Sequence, residues 1–397
     1  MSLSDLPLSY CTNVHPGRTV NEVLAGLRDF TVPAQREFGA PVAAGLWLAQ
    51  PVTRELLATA DGVRRFADSL QQMDLRCHTL NAFPYGDFHT ARVKEQVYLP
   101  DWTDFDRLGY TSDCAWILAR LLPAGVEGSI STVPLGFKGF PHPADFEVQC
   151  AEQLLQLVGI LKQIHADTGR LIRLAIEPEP FCVLETIPET RRFFALLRQH
   201  AEAAGLRDDV DEYIGVCFDV CHQAVEYEDI PDCFRQLAAD RIRINKLHIT
   251  CALQLDDPAR NSAAREALAR YAEPRYLHQT IAPDDHGGQL RCIDLTSELA
   301  LSPPEEFLRA SSWRIHFHVP VNAERVGPLS TTRPQLKQAL GEIPGLDYAP
   351  HLEVETYTWE VLPDAPPVPS RDRLVLGLAE ELRATSELIS SVRPTGQ

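Results

Sequence analysis

The stretch IGVCFDVCH (214–222) decides the fold. Val216 and Phe218 alternate with Gly215, Cys217 and Asp219, the two-residue period of a β-strand with one apolar face. DVCH then turns into a helix, carrying Asp219 and His222 out of the strand together. Outward from this point the same pattern recurs. In LIRLAIEP (171–178), Ile172, Leu174 and Ile176 oppose Arg173, Ala175 and Glu177. In NKLHIT, Leu247 and Ile249 oppose Lys246 and His248. In RIHFHV, Ile315, Phe317 and Val319 oppose Arg314, His316 and His318, and in HLEVET, Leu352 and Val354 oppose His351, Glu353 and Glu355.

Further strands are expected at 8–13, 44–49, 76–83 and 128–135, and those above extend over 243–250, 312–321 and 351–357. Segments of helical period lie between them, clearest over Phe146–His165 and Pro188–Ala204. Strands alternating with helices make parallel βαβ units, so the expected fold is α/β, a (β/α)8 TIM barrel. Nine strand candidates compete for eight places, so one lies outside the barrel or is not a strand. The chain 1–397 is read as one barrel domain. Residues 251–311, with the turn signal DDHGG, form an insertion or lid at the mouth. Residues 361–397 form a C-terminal loop around PDAPPVPS, a helix near 371–391 and a frayed end at RPTGQ.

The apolar face of each strand belongs under the outer helices, which turns the polar face inward. Barrel interiors are ordinarily filled by branched apolar side chains. Here Glu177, Asp219, His248, His316, His318 and Glu355 point inward, each toward a strand's C-terminal end. Active sites of this fold sit at that end. Carboxylates buried together need a positive charge between them, and a divalent cation supplies it. Carboxylate and imidazole ligands suit Mn, Zn, Fe or Co without choosing among them. Glu177 is preferred to Glu179, and Glu355 to Glu353, from their positions relative to the mouth.

Lys246 and Arg314 lie on the same faces and are candidates for holding or acting on substrate; the alternative is an internal ion pair. NAFPYGDFH (81–89) offers Asn81, Tyr85 and His89 as pocket residues, or is only a tight turn; TNVHPG (12–17) similarly offers Asn13 and His15. No phosphate-cradling glycine loop and no nucleophile elbow occurs.

Fifty-five acidic residues against 37 basic ones give a net charge of −18, which disfavours nucleic acid as a partner. No apolar run is long enough to span a membrane, and the first residues lack the features of a secretory signal. Ten scattered cysteines, without any CxxC, read as reduced, mostly buried thiols of a cytoplasmic protein.

The order Glu177, Asp219-x-x-His222, His248, Glu355 resembles the ligand pattern of the xylose-isomerase-like TIM barrels, a group of sugar isomerases, ketose epimerases, inosose dehydratases and endonuclease IV. The resemblance implies that those residues hold the metal. Endonuclease IV-like members place Asp-x-His before the last strand, where this chain has His316-x-His318. Longer blocks are similar to the EboE family of bacterial metabolite-traffic proteins: LSYCTNVHPG, LNAFPYGDFH, RVKEQVYLPDW, EGSISTVPLGFKG, CFDVCHQAVE and HLEVETYTWE, among others between residues 8 and 362. That likeness implies a role in exporting a secondary-metabolite precursor, with other proteins of one gene cluster as partners, and does not imply a reaction.

Three functions follow as expectations. The first is a metal-dependent isomerase, epimerase or lyase acting on a small polyhydroxy or carbonyl metabolite, with Glu177, Glu355 or Lys246 in the chemistry. The second is a non-catalytic metabolite carrier. The third, phosphodiester cleavage, is disfavoured by the charge of −18 and by the absence of an aspartate at position 316.

Overall fold

A computed structural model describes residues 6–363 and 371–392. The loop expected around PDAPPVPS, past Pro363, and the end RPTGQ lie outside the described residues. Eight parallel strands close a barrel: β1 (Ser9–Cys11), β2 (Ala43–Trp47), β3 (Thr79–Asn81), β4 (Gly128–Thr132), β5 (Ile172–Ile176), β6 (Ile214–Asp219), β7 (Ile244–Ile249) and, last in the chain, β14 (His351–Val354). Helices such as Phe146–Thr168 and Ile187–Ala204 connect the strands. The second begins at a capping box between Thr186 and Glu189, ends at Gly205 with φ 68°, and buries Phe193, Phe194 and Leu197. The expected barrel is therefore the observed one.

The ninth candidate is the one at 312–321. Only Ser312–Ile315 (β11) is a strand, and it belongs to a separate six-stranded antiparallel sheet. Its partners are β8 (Leu253–Asp256), β9 (Thr280–Pro283), β10 (Gln289–Cys292), β12 (Arg325–Val326) and β13 (Leu329–Thr331). The insertion thus runs past 311, to Thr331. Period-two alternation identifies a half-buried strand but not the sheet it joins, which is why this strand read as part of the barrel.

Register aligns the interior in layers. His351 stands beside Lys246, and Glu353 and Asp219 flank His248 on either side. In the lower layer Lys246 Nζ lies 2.7 Å from Glu353 Oε1, with both side chains fully buried. Burial works against both charges. The Lys246 ammonium nevertheless holds Glu353 down at about 2, and Glu353 holds Lys246 up. Small residues make room for this pair: a Cβ on Gly45 would come within 1.5 Å of Glu353 Oε2. Ser129 bridges Thr79 Oγ1 at 2.8 Å and His351 Nδ1 at 2.7 Å, so this layer is closed by internal hydrogen bonds.

The final helix, Arg371–Val392, closes the barrel beside β14 and buries Glu381. The Glu381 carboxylate accepts from Thr356 Oγ1, Val321 N and Trp359 Nε1 at 2.6, 3.1 and 3.0 Å, while burial pushes it up to about 7. No helix among the described residues is long and apolar enough to cross a membrane.

Two outcomes are expected. Lys246→Met leaves Glu353 charged and unpaired, and denaturant titration should show a loss of about 3–5 kcal/mol, with Lys246→Met/Glu353→Leu recovering most of it. Glu381 binds its proton more tightly folded than unfolded, so its contribution is complete below the ordinary 4.5 and is lost as pH rises through about 7. The melting temperature of Glu381→Gln should therefore gain on that of the parent between pH 5 and pH 8.

Candidate metal centre

Four side chains meet at the C-terminal mouth of the barrel. Glu177 follows β5, Asp219 ends β6, His248 lies in β7 and Glu355 follows β14. One ligand atom from each lies within 4.8 Å of all the others. His248 Nδ1 is 3.0 Å from Glu177 Oε1, 3.1 Å from Glu355 Oε2 and 3.4 Å from Asp219 Oδ2. Asn13 and Asn81 both donate to Glu355 Oε1, at 2.8 and 2.9 Å, and so orient that carboxylate. Asp219 Oδ1 caps the following helix by accepting from His222 N at 3.0 Å and also takes Thr250 Oγ1 at 2.8 Å. Glu177 Oε2 and Asp219 Oδ2 are buried and accept no hydrogen bond. Orphaned carboxylate oxygens beside an imidazole are what a divalent ion satisfies, so this donor set fits one.

A second lobe adjoins the first. The helical turn that starts at Asp219 brings His222 back over the mouth, and the insertion contributes His316 and His318. His222 Nε2 is 3.1 Å from His316 Nε2, which is 3.2 Å from His318 Nε2. Each Nδ1 faces an oxygen that can only accept: Pro178 O at 3.0 Å, Gln279 Oε1 at 2.7 Å and Glu355 O at 2.8 Å. Each Nδ1 therefore carries a proton, and the three Nε2 atoms converge. Burial pushes His316 well below and His318 below the ordinary range. Burial also opposes charge on His222, but Asp219, Glu179 and Glu177 hold it above that range. Glu179 completes the lobe, 3.5 Å from His316 Nδ1 and accepting from Tyr98 OH at 2.7 Å; burial raises it to about 7.

Both lobes open into a cavity that is also lined by Asn13 and Asn81. The remaining sequence candidates lie elsewhere. Lys246 is sealed beneath the mouth by Glu353 and does not line the cavity, so the ion-pair alternative holds. Arg314 is on the insertion sheet, stacked 4.2 Å over Tyr227 and donating to Ala224 O and Gln254 Oε1. Its strand stops at Ile315, and the Phe317 N to Ile315 O hydrogen bond of 2.7 Å turns the chain, so it does not share a face with His316. His15 stacks on Phe30 and bonds Tyr10 OH, and Tyr85 packs edge-on against Tyr110; neither lines the cavity. His89 stands one layer behind, at 2.8 Å from Asn13 O. Sequence reasoning ranked Glu179 below Glu177 and passed over Tyr98 and Gln279. The EPEP spacing, which sets two glutamates two residues apart, was the available signal for the first.

A closed eight-stranded parallel barrel with helices between its strands is a TIM barrel, a fold this chain shares with solved xylose isomerase-like structures. Among solved structures the chain is similar to a xylose isomerase-like TIM barrel protein from Mycobacterium smegmatis in complex with magnesium, with a TM-score of 0.52 at 12% identity over 99% of this chain and 100% of that one. It is likewise similar to the IOLI protein with a bound zinc atom, with a TM-score of 0.50 at 12% identity over 98% of this chain and 100% of that one. No protein-family model and no curated protein matches the sequence.

If the converging donors bind an ion in the folded state alone, adding Mn2+ or Zn2+ to chelator-treated protein raises the melting temperature in a concentration-dependent way. The expected stabilisation is about 2.7 kcal/mol at a hundredfold excess over Kd. Calorimetry should find that response absent from Glu177→Gln.

Proposed function

We propose that the protein is a metal-dependent enzyme that moves a proton on a small polyhydroxy or carbonyl compound, as an isomerase, epimerase or lyase does. The observation that carries this reading is the meeting of Glu177, Asp219, His248 and Glu355 from different strands, with two orphaned carboxylate oxygens, at the floor of an open cavity. These four residues would hold the ion, with His222, His316 and His318 extending the donor set on one side. A divalent ion bound there would act as a Lewis acid toward adjacent hydroxyl and carbonyl oxygens.

The protein's own groups supply the rest. Asn13 and Asn81 hold Glu355 in place. Glu179 lines the cavity without belonging to the four-residue set, and its Tyr98 partner orients it, so it is the carboxylate placed to accept a proton from bound substrate and return it. Glu177 and Glu355, the proton carriers expected from sequence, serve better as ligands, because each already places an oxygen about 3 Å from His248. The likeness to the EboE family supports placing this chemistry in metabolite traffic in a bacterial cytoplasm, beside proteins of the same gene cluster.

Plasma mass spectrometry tests the centre: near-stoichiometric metal is expected in the parent protein and its loss in folded Asp219→Asn and Glu355→Gln. Absence of metal even after reconstitution would remove the metalloenzyme reading. Proton movement is read by NMR as deuterium uptake from D2O into a panel of hydroxy-carbonyl compounds. Glu179→Gln should retain metal and lose roughly a hundredfold in exchange. Metal without exchange on any compound would leave the carrier role.

A further inference from the structure

We propose that the site takes an amphiphilic small molecule, with an uncharged oxygenated head toward the metal centre and an apolar, ring-bearing body against the aromatic wall beside it. The inference deepens the proposed function and takes its head group from that reading; the body is argued from the cavity alone. Above the acidic and histidine floor, the cavity is walled by Phe83, Phe88, Val97, Tyr276, Leu277 and Tyr357. Phe88 packs against Tyr276 at 4.9 Å and Tyr357 at 5.3 Å, and those two rings lie 5.0 Å apart, so this part of the wall is a continuous aromatic surface.

Two of the wall's three tyrosine hydroxyls are already committed: Tyr276 OH donates to Phe88 O at 3.2 Å and Tyr98 OH to Glu179. An extended polyol laid against this surface would leave most of its distal hydroxyls without partners, whereas a ring or branched alkyl group would lose little. Charge narrows the class further. Among the described residues, Lys94 is the one lysine lining the cavity and no arginine lines it, and the three donors of Lys94 Nζ are spent on Glu273 O, Tyr276 O and Asp294 Oδ2 at 2.9, 2.6 and 2.6 Å. Glu177, Glu179 and Glu355 face the same space, so a phosphate at the far end of a compound whose head occupies the metal centre meets no free lysine or arginine there.

Hydroxyacetone, 2-hydroxyacetophenone and dihydroxyacetone phosphate share one hydroxy-ketone head and differ in the body. Isothermal titration of each into the full chain, metal-loaded and metal-free, separates the two readings. The phenyl compound should bind at least about tenfold more tightly than hydroxyacetone, and the phosphate no more tightly than hydroxyacetone. Leu277→Asn, or Val97→Asn should the first variant not fold, should bring the phenyl preference toward one while metal content is unchanged. Equal binding of phenyl and methyl compounds in both forms, or preference for the phosphate, overturns the inference. A preserved phenyl preference in protein that takes up no metal overturns the metalloenzyme reading alone.

Discussion

Four carboxylates cannot be buried around one barrel mouth without positive charge or donors to answer them, and this constraint organises the rest of the structure. Glu177, Asp219, Glu355 and Glu179 are each no more than 5% exposed. His248 lies among the first three, and His222 comes within 3.9 Å of Glu177 and 4.0 Å of Asp219. Burial disfavours the His248 cation, yet Cys217, Glu177 and Glu355 hold its proton affinity well above the ordinary value. The layer beneath repeats the problem in closed form, because Lys246 and Glu353 neutralise one another inside the barrel. The upper layer has the same chemistry with two oxygens left over. A group of polar residues that is charge-balanced below and has excess carboxylate above is organised for something positive to enter from above.

The insertion is part of that organisation. Gln279 immediately precedes β9 and His316 immediately follows β11, and these strands pair through Ile315 and Thr280. The hydrogen bond from His316 N to Gln279 O extends the ladder by one step, which sets Gln279 Oε1 against His316 Nδ1. Val319 N bonds Cys251 O, just past β7, and anchors the second histidine of the pair to the barrel. The three-histidine lobe thus depends on antiparallel pairing outside the barrel, whereas the carboxylate lobe depends on parallel register within it.

This division explains what the sequence made legible. Glu177, Asp219, His248 and Glu355 sit on or next to regular strands whose alternation sorts faces without ambiguity, and all four meet. DVCH was readable because an N-cap aspartate and a residue three positions on are neighbours through local geometry alone. Arg314 misled because alternation was carried through the turn at Ile315–Phe317, where the strand has ended. Lys246 misled in a different way: its face was right, but depth along the strand is not encoded in a period of two, and it lies a layer too low. Gln279 and Tyr98 could not be seen, since their roles arise from contacts across 181 positions of chain.

Depth and attachment also decide how a ligand reaches the floor. Arg291 on β10 grips Glu226 with both terminal nitrogens, at 2.8 and 2.9 Å, and binds Glu185 as well. Lys94, 5% exposed, ties the segment after β3 to Tyr276 and Asp294 of the insertion. Swinging the insertion aside would strand these cations and expose the aromatic surface to water, so the resting geometry is already the binding geometry. Val97 and Leu277, half-buried where Glu179 and the histidines are buried, form an apolar lip on the cavity. A strongly hydrated compound has to shed water against that apolar lip without compensation, whereas an apolar body gains from the same contact. On the proposed reading, selection by the wall complements recognition by the floor and presents the acidic centre with a single oxygenated end.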